Sequence, residues 1–115
     1  LADAQGGLRV VDVSDPMNPL PLGTYATLGP AQGVTALGAL VYVAETDGLL
    51  EIVDVSRPAM PVQAGLYRSW GDGTKVAAQG EYAFVAGRDA GLLILRVTPN
   101  LRIVPIPLYM RNIVL

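Results

Sequence analysis

The feature that most constrains the fold is an internal repeat of 42 residues, the spacing between Asp12-Val13-Ser14 and Asp54-Val55-Ser56. The same shift aligns Pro16 with Pro58, Pro19 with Pro61, Gly23 with Gly65, Gly38 with Gly80, Val43-Ala44 with Val85-Ala86, and Tyr25 with Tyr67 and Tyr109. Chance does not keep one register over so many positions. Each period is therefore one structural unit that buries its apolar surface against its neighbours.

Each period carries the signals of four short strands. In the second period these are residues 34–37, 40–44, 49–55 and 62–67, of which 40–44 is rich in β-branched and aromatic residues. Glycine and proline interrupt the chain roughly every eight to twelve residues, and no segment has a helical apolar period. Four strands in about 40–45 residues are typical of a β-propeller blade.

We therefore predict an all-β fold, a β-propeller segment of about two and a half antiparallel four-stranded blades. Residues 1–27 end one blade, 33–68 form a complete blade, 74–109 form a degenerate blade, and 110–115 are a tail. In the third strand of the complete blade, Leu50 and Ile52 are expected on one face and Val53 and Val55 on the other. Because a propeller typically needs four to eight blades to close, we expect the remaining blades elsewhere in a longer chain.

Composition excludes several classes of chemistry. The chain has no cysteine and no histidine, which rules out disulfides, Cys/His zinc sites and imidazole acid–base catalysis within this segment. A net charge of −2 without a basic run predicts no nucleic-acid surface. No apolar run reaches about 18 residues, so no membrane span is expected in this segment.

Asp12 and Asp54 each end a third strand, two residues before Ser14 and Ser56. We interpret the two aspartates and the two serines as structural turn caps, in which each carboxylate accepts backbone N–H groups of the following turn. The alternative makes the aspartates a carboxylate pair or metal ligands. Because they recur once per period, we expect them on different blades and not side by side.

A second set of candidates lies in the loops that share one face of a propeller. These loops contain Asp3, Glu45, Asp47, Trp70, Asp72 and Asp89. The candidate ligand-binding residues are Trp70, Asp72, Asp47 and Asp89, which suit a calcium ion, a cationic ligand or a sugar stacked on the indole ring.

The loop Ser69-Trp70-Gly71-Asp72-Gly73-Thr74 is the least repetitive segment, because its counterpart at residues 28–33 has no aromatic residue. A departure from the repeat is where a binding site would be added to the scaffold. The loop also fits an ordinary glycine-rich turn in which Trp70 covers a neighbouring blade. It lacks the alternating oxygen ligands of an EF-hand loop, so the loop by itself does not predict a calcium site. We assign no residue as a metal ligand and predict no cofactor.

The phrase Gly-x-Leu-x-[Ile/Val]-Val-Asp-Val-Ser-x-Pro-x-x-Pro, followed by a Gly-x-Tyr strand and then a Tyr-Val-Ala strand, resembles the LVIVD repeat family. The matching residues are 6–19 with 23–25, 48–61 with 65–67, and the motifs Tyr42-Val43-Ala44 and Phe84-Val85-Ala86. The third unit departs from the pattern, with Arg96, Thr98 and Asn100 at the aspartate, serine and first proline positions. The resemblance implies a β-propeller in prokaryotic proteins that are often secreted or attached to the cell surface. It implies no defined catalytic activity and no catalytic residues.

We therefore predict a non-catalytic module of a larger surface or secreted protein, which binds or scaffolds other proteins or surface glycans. One alternative is a fragment of a propeller enzyme, of hydrolase or lyase type, with its active site on the rim loops or in chain outside this segment. A second is a short self-assembling lectin-like propeller. An enzyme would gather two or more carboxylates within about 10 Å around a cleft, whereas a scaffold would disperse them.

Overall fold

The computed structural model describes residues 2–3, 7–46, 48–68, 73–87, 91–98 and 103–105, and their regular structure is β-strand. In chain order the strands are β1 (Ala2–Asp3), β2 (Gly7–Asp12), β3 (Leu20–Tyr25), β4 (Ala31–Leu37), β5 (Leu40–Glu45), β6 (Leu49–Asp54), β7 (Val62–Arg68), β8 (Gly73–Gln79), β9 (Tyr82–Gly87), β10 (Gly91–Val97) and β11 (Ile103–Pro105). Among these residues there is no helix long and apolar enough to cross a membrane.

The strands form three antiparallel sheets in which chain neighbours pair, as in propeller blades. Blade 1 is β1-β2-β3, blade 2 is β4-β5-β6-β7, and blade 3 is β8-β9-β10-β11. This confirms the predicted all-β propeller segment and its four-stranded unit. Blade 1 has three strands here, one more than the two of the predicted half blade. The additional strand is β1, a two-residue strand that pairs Ala2 with Leu8 and Asp3 with Gly7.

Blade 2 lies between its two neighbours and is apolar on both faces. Its face toward blade 3 belongs to a buried cluster made of Tyr42, Ala44, Leu50, Ile52, Ala83, Val85, Leu95 and Val97. Its opposite face, with Val41, Val43 and Val53, packs with Leu8 of blade 1 and Ala31. The predicted alternation of Leu50 and Ile52 against Val53 is thus confirmed, and it follows from the two-residue period of a strand.

The repeated glycine and proline positions meet across the junction between blades 1 and 2. A Cβ atom added to Gly23 in β3 would overlap the carbonyl oxygen of Pro58 and lie 3.1 Å from the Cα of Ala59, in the turn after β6. The equivalent Gly65 faces side chains instead, with Cδ1 of Ile52 at 3.4 Å and Cδ1 of Ile103 at 3.6 Å. Gly23 is therefore glycine because a backbone turn of the next blade is packed on it.

Candidate functional site

The two repeated aspartates form the same local hydrogen bond in different blades. Oδ1 of Asp12 accepts from the backbone N–H of Ser14 at 2.8 Å, and Oδ1 of Asp54 accepts from that of Ser56 at 2.8 Å. These backbone bonds, together with bonds from the serine side chains, lower the pKa of both carboxyl groups below the usual aspartate value. This is the hydrogen bond of a turn cap, and it serves each turn separately.

The turns that follow are closed by backbone hydrogen bonds. The N–H of Asn18 donates to the carbonyl of Asp15 at 3.0 Å, and the N–H of Met60 donates to that of Arg57 at 2.8 Å. The Ser-x-Pro-x-x-Pro phrase therefore encodes a compact turn between the third and fourth strands. In blade 2 this is the turn that packs on Gly23.

Two glutamates are fully buried on the face of blade 2 that packs against blade 1. Glu45 is the last residue of β5, and Glu51 lies in β6, where it pairs with Val43 of β5. Both residues are 0% exposed. Oε2 of Glu51 accepts from the hydroxyl of Tyr25 at 2.8 Å and from Nε2 of Gln63 at 3.4 Å. These contacts place a carboxylate inside the junction between two blades.

The same two glutamates also bind the backbone that connects blade 1 to blade 2. Oε1 of Glu51 accepts from the N–H of Leu28 at 2.7 Å, and Oε1 of Glu45 accepts from the N–H of Gly29 at 2.5 Å. Burying a carboxylate is costly unless hydrogen bonds replace its water, and at Glu51 a backbone amide, a phenol and the Gln63 side-chain amide supply them. We call residues 26–30 the connector.

A known protein-family model matches three consecutive stretches of the chain. The model of the LVIVD repeat matches residues 1–27, 28–69 and 70–97. The chain belongs to the LVIVD repeat family. The second LVIVD repeat begins inside the connector and contains blade 2, while the first contains β1 to β3 of blade 1. A search of curated proteins finds no match.

The predicted ligand-binding residues Trp70, Asp72, Asp47 and Asp89 of the LVIVD chain lie outside the described residues, as does the side chain of Asp3. Glu45 was expected in a rim loop, and that expectation is wrong. Strand β5 continues through this residue, which pairs with Ala31, and its carboxylate is turned into the blade junction. Within the described ranges, no group of three acidic side chains is placed to hold a metal ion.

Glu51 was not among the candidate residues predicted from the sequence, although the LVIVD repeat contains a signal for it. The positions 42 residues away are Arg9 and Leu93, so a carboxylate at this place is peculiar to the second repeat. For Glu45 the equivalent residues are Asp3 and Gly87. The sequence shows that these carboxylates depart from the repeat. It does not show the donors of Glu51, because Tyr25 and Leu28 come close to it only in the folded molecule.

The titration of Tyr25 provides a test of this junction. Burial, the hydrogen bond to Glu51 and the negative charges of Glu51 and Glu45 raise the pKa of the Tyr25 phenol to about 12. The folded pKa is raised, so the unfolded chain loses this proton at lower pH than the folded one. The stability that the phenol contributes is therefore complete below about pH 10 and is lost as the pH rises toward 12.

We expect the free energy of unfolding, measured by urea melts from pH 9 to 12, to fall less steeply in Tyr25→Phe than in the wild type. Absorbance of the folded protein at the phenolate band should show one fewer late-ionising tyrosine in the variant. Tyr42 also has a raised pKa caused by burial, and it remains in both proteins as an internal reference. Identical pH profiles for the two proteins would contradict the Tyr25–Glu51 contact.

Proposed function

We propose that this LVIVD segment is a non-catalytic binding or scaffolding module of a larger secreted or cell-surface protein. One observation carries the proposal: the connector has a fixed backbone but an outward side chain. The N–H of Leu28 is bound by buried Glu51, while Leu28 as a residue is 64% exposed. A rigid backbone that holds an apolar side chain in water is a suitable contact point for a partner.

The 42-residue repeat extends this observation to the segment that joins blade 2 to blade 3, which is equivalent to the connector. The position equivalent to Leu28 is Trp70, so the sequence places a large apolar residue at the same point of two successive connectors. We propose that Trp70 is a stacking surface for a surface glycan or a protein side chain, with Asp47, Asp72 and Asp89 as hydrogen-bond acceptors for it. In a propeller these loops open onto the same face.

The contacts of four described carboxylates also support a binding module over an enzyme. Glu45 and Glu51 are buried and bind backbone amides, and Asp12 and Asp54 bind the amides of their own turns. A catalytic acid or base must reach its substrate within hydrogen-bonding distance. These four carboxylates instead hold the fold together.

Tryptophan fluorescence tests the proposal, since Trp70 is the one tryptophan among the 115 residues. We expect the difference spectrum between the wild type and Trp70→Phe to change saturably with at least one member of a panel of neutral and acidic oligosaccharides and cell-envelope polymers. Asp72→Asn should weaken that binding about tenfold, as for the loss of a charged hydrogen-bond acceptor.

Asp15→Asn is the matched control, because Asp15 lies in the exposed turn between β2 and β3 of blade 1 and its substitution should leave affinity unchanged. No saturable change with any probe would contradict the proposed role of Trp70. Turnover of a chromogenic glycoside or ester that is lost in Asp72→Asn would instead favour the enzyme alternative.

A further inference from the structure

Between described residues, four hydrogen bonds join the side chains of Glu51 and Glu45 to Tyr25, Leu28, Gly29 and Gln63, and three of these donors come from blade 1 or the connector. These donors are the Tyr25 hydroxyl and the N–H groups of Leu28 and Gly29. The fourth donor, Gln63, belongs to blade 2 itself. We infer that Glu45, Glu51 and Tyr25 form a latch that fixes blade 1 and the connector onto blade 2 and that is particular to this pair of blades.

The connector is held at successive residues. Besides the two amides bound by the glutamates, the hydroxyl of Thr27 donates to the carbonyl of Gly29 at 2.7 Å. The carbonyl of Pro30 accepts from the N–H of Thr46 at 3.2 Å, just beyond β5. Residues 27–30 therefore all take part in hydrogen bonds, two of which end on carboxylates.

Burial makes these bonds act together. Both glutamates are 0% exposed, so movement of blade 1 and the connector would leave two carboxylates in an apolar junction without the three donors that these segments supply. Removing one partner of a buried polar group costs more than the hydrogen bond itself contributes, because the remaining partner loses its solvation. The latch therefore favours a single closed arrangement in which all three donors are in place.

The next junction of the same chain is built differently. The equivalents of Glu51 and Glu45 in blade 3 are Leu93 and Gly87, which carry no carboxylate. Tyr67, the equivalent of Tyr25, packs with Leu93 against the apolar cluster between blades 2 and 3. A copy of blade 3 in place of blade 2 could not bind the connector in this way, so the latch specifies which blade follows blade 1.

Native-state hydrogen exchange on the full-length protein tests the latch. In Glu51→Leu, which copies the residue found in blade 3, the amides of Leu28 and Gly29 should exchange at least about tenfold faster. In Tyr25→Phe, which removes one hydroxyl and keeps the ring, they should exchange faster by a smaller factor in the same direction. The amides of Ala83 and Val85 in blade 3 are the internal reference and should stay within about twofold of the wild type.

Tyr67→Phe is the matched control, because its position is equivalent but its side chain packs against the apolar cluster between blades 2 and 3, and it should leave the Leu28 and Gly29 amides unchanged. The inference would be overturned if hydrogen exchange became faster by the same factor at the connector amides and at the reference amides in both Glu51→Leu and Tyr25→Phe. That result would show a general loss of stability. Wild-type exchange at Leu28 and Gly29 in Tyr25→Phe and Glu51→Leu would overturn it as well. If Glu51→Leu does not fold, Tyr25→Phe alone decides between these outcomes.

Discussion

Ile52→Ala is expected to lower the free energy of unfolding by about 2–5 kcal/mol, the range for large-to-small changes in a core. Ile52 is 0% exposed and belongs to the cluster between blades 2 and 3. A Cβ atom added to Gly65 would lie 3.4 Å from Cδ1 of Ile52, so the Ile52 side chain also lies over strand β7 of its own blade. Strands on both sides prevent collapse into the cavity, and a urea melt of the full protein measures the loss.

Met60→Ala is the control for this experiment. Met60 is 65% exposed in the turn after β6, so removal of its side chain should change the free energy of unfolding by no more than about 0.5 kcal/mol. A loss below about 1 kcal/mol for Ile52→Ala would mean that blades 2 and 3 are not packed through this cluster. Ile52→Val should give an intermediate loss of about 0.5–1.5 kcal/mol.

Gly23→Ala is expected to destabilise by about 1–3 kcal/mol, because a methyl group there meets backbone and not a flexible side chain. The added Cβ would overlap the carbonyl oxygen of Pro58 and crowd Ala59. Relief requires blade 1 to move away from the turn of blade 2, so the damage should concentrate at this junction. The same urea melts measure it.

Gly65→Ala provides a matched control within the repeat. The nearest atoms to its added Cβ lie at 3.4–3.6 Å and belong to the side chains of Ile52 and Ile103, which is ordinary van der Waals contact. We expect a change of less than about 0.5 kcal/mol there. Equal losses for the two variants would contradict the contact with Pro58 as the cause of the loss in Gly23→Ala.

The repeat alone was enough to predict the blades. The 42-residue register, the strands that contain Leu50 and Ile52 and the family of the chain could all be obtained from the residues, because strand periodicity and turn chemistry are local properties. Strand ends were less predictable. Strand β4 begins at Ala31 and not at Val34, since its first residues contain a bulge and pair with the end of β5.

The turn phrase shows where local information ends. The sequence determined that Asp54 precedes a Ser-x-Pro turn, and the bond from Ser56 N–H spans two residues, so it is encoded within the phrase. The packing of that turn on Gly23 joins residues of different blades. Nothing in the local pattern states which strand a turn will meet.

The repeat, the strand faces and the turns of this LVIVD protein could be predicted from local residue patterns. The position of Glu45 and Glu51 inside the junction with blade 1 could not, because it depends on how the blades stack. Tyr25 and Glu51 are 26 residues apart and come within 2.8 Å only when two blades stack. From the sequence alone, a carboxylate in a strand is expected to face solvent, because burial requires donors that replace its water. Only the folded chain brings those donors to the carboxylate.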